Sequence, residues 1–402
     1  MGRHLEILGD GQIWDLRGIL PGAPQKTFED LFSGRALAQM AQGVIKGKGK
    51  ITGLSVTKAL FSRNRQAKDK AITLLKGLAQ NASLGIKTLS QGKGFKPDWP
   101  ARERNYWRNL DIIIIGGGVS EGLTGRILVS AIKSSLSKDG LADIRVYQAK
   151  FPGKEAGFLG AVINILKLIC KEGKDYGLKR IAACGLDLGR EEVGVGLLAI
   201  NPNRGRLLKQ NKHNWVFKYS LKTPYRNYLK DFLDSRRDYS VSERKFGERI
   251  RQAILRQMTN LIILAQAKAQ GLGLESSRNI GVAVPGRTSD GGYIIDSTDY
   301  LPFFRKEDGF NFSRSLEDFL CKRGLRGYQV HIINDGIAAG IANVYFDPSI
   351  SLRVNSERSP EPAEGRSRTI DSFKLKKGKF AFFGVGSGLG GCVGRVDYDE
   401  KK

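Results

Sequence analysis

Residues 330–343 read VHIINDGIAAGIAN. A run rich in β-branched residues, Val330 to Ile333 with His331 inside it, meets a polar pair, Asn334–Asp335, and then a small-residue segment, GIAAGIANVYF, over 336–346. The first part has strand character and the last has helix character. A carboxylate where a strand hands over to a helix can serve as a general base. The same carboxylate can simply cap the helix. The residues alone leave both roles open for Asp335.

The pattern repeats outward. Ile112 to Ile115 form a continuous apolar run that predicts a buried strand, and Gly116, Gly117 and Gly118 turn it into a helix at about 121–135. DIRVYQA (143–149) predicts a second strand, and EAGFLGAVINILKLICK (155–171) one long apolar helix. RIAACGLDLG (180–189) and VGVGLLAIN (193–201) read as a hairpin. NIGVAVPG (279–286) is a strand running into a turn, and KFAFFGVGSGLGGCVGRV (379–396) is a last hairpin. Helical spacing covers 27–45, 55–90 and 245–271. Residues 202–247 have no clear period, and 348–378 have the composition of a mobile insertion. Strands alternating with helices define an α/β fold.

The chain has 402 residues, 50 of them glycine, and a net charge of 66 − 40 = +26. That charge points to an anionic partner without naming one; residues 201–260 alone hold 15 Lys/Arg against 5 Asp/Glu. Cys170, Cys184, Cys321 and Cys392 lie far apart, which argues against a zinc ribbon or a disulfide framework. The three histidines, His4, His213 and His331, exclude a His-rich metal site. No apolar run reaches about 18 residues and no signal-peptide core is visible, so the expectation is a cytoplasmic protein with no membrane partner.

Glycine-rich segments follow apolar strands three times: at Gly116–Gly118, Asp187–Gly189 and Gly384–Gly391. Backbone amides approach phosphate closely only where no Cβ intervenes. One such loop alone is as well read as a plain hairpin. Taken together with Asn334–Asp335, the segments resemble the ROK family of sugar kinases and repressors, within the actin-like ATPase superfamily. VHIINDGIAAGIAN is similar to its N-D strand and helix, and FGVGSGLGGCV to its second phosphate loop. NIGVAVPGRTSDGGYI is similar to its P-G segment, GLDLGREEVGVGLL to its first phosphate loop, and IIIIGGGVSEG to its adenosine side. EDLFSGRAL resembles the piece after its zinc motif, and EAGFLGAV its terminal helix.

The order differs from the family's. Residues 1–170 match its C-terminal half and 180–396 its N-terminal half, which reads as a circular permutation with 171–180 joining the old ends. Permutation is tolerable where old ends lie close and the cut is exposed. The resemblance implies two actin-like, ribonuclease H-like domains around a central cleft. They would be a larger nucleotide-side domain, 1–165 plus 336–402, and a smaller one, 166–335.

It also implies roles. Asp335 would be the catalytic base. Asn334, His4, Glu29 and Gly286 would contact sugar. Asp187, Gly189, Gly386, Ser387, Gly388, Gly390, Gly116, Gly117 and Gly118 would hold ATP, with Asp187 reaching Mg²⁺ through water. His4 could equally be an unordered terminal residue, and Glu29 a first-turn helical acid. The family's D-x-G-G-T has become Asp187-Leu188-Gly189-Arg190-Glu191, and a carboxylate near a phosphate costs about 1–4 kcal/mol. Arg190 could offset it. The zinc cysteines are absent, with Thr27 in one of their places, so no zinc is expected. Tyr300 stands where the sugar-loop Asn belongs, and the Glu of the G-E-x-G-H segment is missing.

Two functions follow. One is an ATP-dependent sugar kinase acting on a hexose or amino sugar, with sugar and nucleotide as partners and a homodimer compatible. The other is a degenerate, non-catalytic relative that binds sugar, nucleotide or, through 201–260, nucleic acid. No helix-turn-helix is recognisable, so the repressor branch is poorly supported.

Overall fold

The computed structural model describes residues 3–9, 16–20, 23–45, 51–95, 101–108, 110–151, 153–189, 191–208, 215–225, 240–296, 302–346, 377–385 and 389–398. Along the chain lie β1 (Arg3–Gly9), α1 (Phe28–Leu31), α2 (Gly34–Ala41), α3 (Gly53–Leu60), α4 (Arg65–Ser90), α5 (Ala101–Tyr106), β2 (Ile112–Gly116), α6 (Gly122–Lys138) and β3 (Arg145–Gln148). Next come α7 (Gly153–Asn164), α8 (Leu166–Asp175), β4 (Ile181–Leu188), β5 (Glu192–Asn201), β6 (Arg206–Leu207), β7 (Phe217–Lys222), α9 (Val241–Gly271), β8 (Glu275–Val284), β9 (Arg287–Thr288) and β10 (Ile294–Asp296). The last are α10 (Phe312–Lys322), β11 (Gln329–Asn334), α11 (Asp335–Phe346), β12 (Lys377–Val385) and β13 (Leu389–Tyr398). The chain is a mixed α/β protein.

It divides into two compact units, Met1–Pro152 with Asn343–Lys402, and Gly153–Ala342. The sequence placed the cuts at 165/166 and 335/336. They fall elsewhere because α7 and the start of α11 pack on each other in the second unit: a Cβ on Gly160 would overlap the Ala338 carbonyl. Of the insertion expected at 348–378, residues 348–376 lie outside the described residues, and Lys377 and Gly378 open β12.

In the first unit the sheet order is β1-β13-β12-β2-β3. β12, β2 and β3 are parallel, and β13 is antiparallel to both β12 and β1. The Ile112–Ile115 run is fully buried, as a parallel strand covered on both faces requires. Each of those side chains contributes about 2 kcal/mol of apolar burial. Ile113 and Ile115 pack with Leu75, Leu78 and Ile86 of α4 and Leu128 of α6. The helical pattern over 55–90 is two helices, because Asn64 caps a new one through the Ala67 amide at 3.1 Å. The pattern over 27–45 also splits, with Ser33 capping α2 through the Ala36 amide at 3.1 Å.

In the second unit the order is β11-β8-β4-β5-β6, with β7 also on β5. β4, β8 and β11 are parallel; β4 and β5 form the expected hairpin. The single helix expected over 155–171 breaks at Ile165, whose backbone leaves the helix at φ −104, ψ 12. β1 and β7 are strands that the sequence pattern did not mark.

Candidate functional site

The parallel strands β4, β8 and β11 end side by side. Asp187 lies opposite Ala283, and Val284 opposite Asn334. With neighbouring strands about 4.8 Å apart, the backbones of Asp187 and Asn334 are about 10 Å from each other. Ligands of α/β sheets bind at these carboxyl ends. The second unit thus brings together Asp187, Gly189, Gly286, Asn334 and Asp335.

Asn334 and Asp335 divide the work that the sequence left open. Asn334 Oδ1 accepts the Ile337 amide at 3.0 Å, the N-cap bond of α11. Its Nδ2 donates to the Gly286 carbonyl at 2.9 Å. Gly286 has φ +97, a region that a side chain would strain. Asn334 therefore ties the P-G turn to the helix, and both polar atoms of its side chain are engaged within the protein. Asp335 is relieved of capping. Its carboxylate accepts local backbone bonds, from the Gly336 amide to Oδ1 at 2.8 Å and from its own amide. Burial pushes its carboxyl from the ordinary 3.8 up to about 6, with the Gly336 and Asp335 amides pulling the other way. A carboxylate poised near neutrality at a strand end is suited to accept a proton.

The first phosphate-type loop is less open than its sequence implies. The Gly189 amide donates to the Glu192 carbonyl at 3.0 Å, and its carbonyl accepts the Thr223 hydroxyl at 2.7 Å. The Gly189 N–H is thus spent inside the hairpin and does not fit a phosphate. Arg190 lies outside the described residues. α7 leaves the Asp187 carboxylate room at Gly157, where a Cβ would overlap it. Beside it, among the described residues, a Cβ on Gly194 would have only the Asp187 Cβ, at 4.0 Å, within reach.

The other predicted residues belong to the first unit. Gly116 pairs with Gly384 across β2 and β12. Gly117, at φ +84, abuts Val385, whose backbone would lie 2.7 Å from an added Cβ. Gly116 makes way for the Phe382 ring. Among the described residues, Gly118 has nothing within 4 Å of a Cβ position. Gly390 lies opposite Gly384; Gly386, Ser387 and Gly388 lie outside the described residues. His4 sits in β1 opposite Asp397. Glu29 is in the first turn of α1 and ion-paired with Arg35. Thr27, in the place of a zinc cysteine, caps α1 through the Asp30 amide at 3.2 Å.

The sequence missed Gly157 and Gly194, whose missing side chains shape the surroundings of Asp187. The only signal was the excess of glycine outside the loops. No family model matches the chain, and no curated protein matches it.

Proposed function

We propose that the chain is a circularly permuted ROK-like protein with two actin-like domains, and that it phosphorylates a sugar hydroxyl with Asp335 as general base. The observation that carries the reading is the partition at the end of β11: Asn334 takes the cap, and Asp335 is left with a carboxyl raised to about 6. The strand pairing supports the permutation. Arg3 lies opposite Tyr398 in antiparallel β1 and β13, so the segments that the family joins in sequence meet here as a hairpin without its turn.

ATP–Mg²⁺ would supply the phosphoryl group and the neutralising cation. Asp187 would hold the hydrated ion, and Gly118 would leave room on the adenosine side. The Asp335 carboxylate takes the proton of the attacking hydroxyl as its oxygen bonds the γ-phosphorus and the bond to ADP breaks. Carboxylate above pH 6 is the active form. The expected profile of kcat/KM therefore falls below about pH 6 with a single-proton slope.

The test is purified protein with ATP, Mg²⁺ and a panel of hexoses and amino sugars. Product from the wild type and none from Asp335→Asn is the expected result. Undiminished product in Asp335→Asn, or none from the wild type, overturns the reading. A second, non-catalytic reading is favoured by the Gly189 amide turned inward. Calorimetry separates the two, because a loop closed to triphosphate gives no heat with ATP–Mg²⁺.

A further inference from the structure

The opposite end of the second unit's sheet has a different character. There the parallel strands begin, and segments distant in sequence converge. Ile181 lies opposite Glu275 on one side and Ile200 on the other, and Gln329 lies opposite Asn279. These pairings bring the residues before β4, the bulge of β8 and the turn before β11 to one edge.

Each segment brings exposed cations. Lys179 and Arg180 precede β4, and Lys171 and Lys174 face solvent on α8. The end of α8 reaches the same edge, since a Cβ on Gly173 would press on Pro202, in the turn after β5. That turn carries Arg204 and leads to Arg206, both exposed. Arg278 is exposed on the β8 bulge, with Nη1 3.7 Å from a Cβ position at Gly327. Lys322, Arg323 and Arg326 lead into β11, all exposed.

The acids here do little to cancel them. Glu172 is turned inward: it accepts the Ser277 hydroxyl at 2.5 Å, the Arg278 amide at 2.8 Å and the Asn279 amide group at 2.9 Å. Glu317 accepts the Val330 amide at 2.8 Å. Asp175, Glu275 and Asp318 remain exposed against the larger set of cations. Among these charges Tyr176 shows 61% of its surface and Leu272 50%.

From this convergence of solvated cations around an exposed aromatic ring, we propose that this edge binds the backbone of single-stranded RNA. The cations meet phosphates, and Tyr176 stacks on a base. A membrane surface fits less well, since among the described residues few large apolar side chains are exposed here (Leu168, Tyr176 and Leu272) and no broad apolar helix face accompanies them. Polyanion binding of this kind releases counterions, and unstacked bases find a platform on an aromatic ring. The edge lies at the strand ends opposite Asp335 and does not depend on the sugar kinase reading.

The test uses the full chain and a fluorescein-labelled oligouridine, followed by anisotropy. Expected is binding whose log affinity falls with log salt at a slope of about −3. Reversing Arg180, Arg278, Arg323 and Arg326 to Glu should weaken it about tenfold or more and flatten the slope. The same number of reversals on α4 and the turn before it, at Arg63, Arg65, Lys68 and Lys76, should leave it within about twofold. Tyr176→Ala should weaken binding several-fold with the slope unchanged. If the fourfold variant melts early, Arg180→Gln with Arg326→Gln carries the same test, with a loss of about threefold. Equal weakening by the α4 reversals, binding insensitive to salt, duplex bound as well as single strand, or no effect of Tyr176→Ala would overturn the assignment. So would phosphatidylserine vesicles that displace the RNA from the wild type.

Discussion

On one face of the second unit's sheet stand Leu186, Leu188, Val193, Val195 and Val282, packed with Ile254, Leu255, Met258 and Ile262 of α9. On the other face, toward α7, stand Gly185, Gly196 and Gly281, where a Cβ would overlap Phe158 or the Ala161 carbonyl. The two faces hold their helices by different means. The α9 face removes apolar side chains from water, with a gain graded in area. The α7 face lets helix backbone lie directly on strand backbone, so contact depends on the absence of atoms. The first face tolerates loss at a graded cost; the second tolerates no growth. Asp187 stands on the glycine-lined face against Gly157, and Gly160 seats α7 on Ala338 of α11, the helix that begins at Asp335.

The sharpest way to break this comparison is to add atoms to the thin face. Gly185→Val is expected to cost about 4 kcal/mol or more, because the obstacle is the Phe158 backbone rather than a side chain that can rotate away. Urea unfolding measures it, and a loss under about 1 kcal/mol would mean that α7 can lift off the sheet cheaply. The neighbouring residue tests the other face. Leu186→Ala, fully buried against α9, should cost about 3 kcal/mol from lost burial and a cavity.

Asp335 tests what the thin face sustains. Its raised folded value means that the native state binds the proton more tightly than the unfolded chain does. The carboxylate's cost to stability therefore develops as pH rises from about 4 to 6 and is fully present above that. Asp335→Asn should be more stable than the wild type at pH 8 by about 2 kcal/mol, and no more stable at about pH 3.5. Unfolding at the two pH values checks this. Equal stability at pH 8 would show that burial does not burden the charged form, and would count against the proposal of Asp335 as base.

Much of the sheet was legible because buried strands announce themselves as apolar runs: Ile112–Ile115 and Ile181–Leu186 are both strands, while β11, half-buried at the sheet edge, showed itself by the β-branched residues around His331. β7 was not, since FKYSLK is exposed at four of its six positions and shows no buried stripe. The turn at Ile165 was hidden because both halves of 155–171 are apolar, and composition does not reveal a change of axis. The glycines were the least legible. In sequence, Gly189 and Gly185 look alike; only neighbours decide that one turns its amide into a hairpin and the other clears space for Phe158. The basic edge was invisible for a related reason, since Arg180, Arg278 and Arg326 are far apart in the chain and meet only through strand register.

The smallest expected effect separates the two kinds of glycine on the thin face. Gly194 lies between Gly196, which makes room for Phe158, and the loop, yet among the described residues nothing but the Asp187 Cβ at 4.0 Å approaches its missing side chain. Packing does not require a glycine there. Gly194→Ala should therefore change stability by no more than about 0.5 kcal/mol, with the sign toward stabilisation, since a strand glycine carries extra chain entropy. If the space beside Asp187 takes a hydrated cation and phosphate, the same methyl narrows it, and ATP–Mg²⁺ binding should weaken while the fold does not. A stable variant with unchanged ATP affinity would place the phosphates elsewhere, and a destabilised one would make Gly194 a packing residue like its neighbour. The contrast with Gly185→Val then separates a glycine held by the helix above it from one that leaves space beside Asp187.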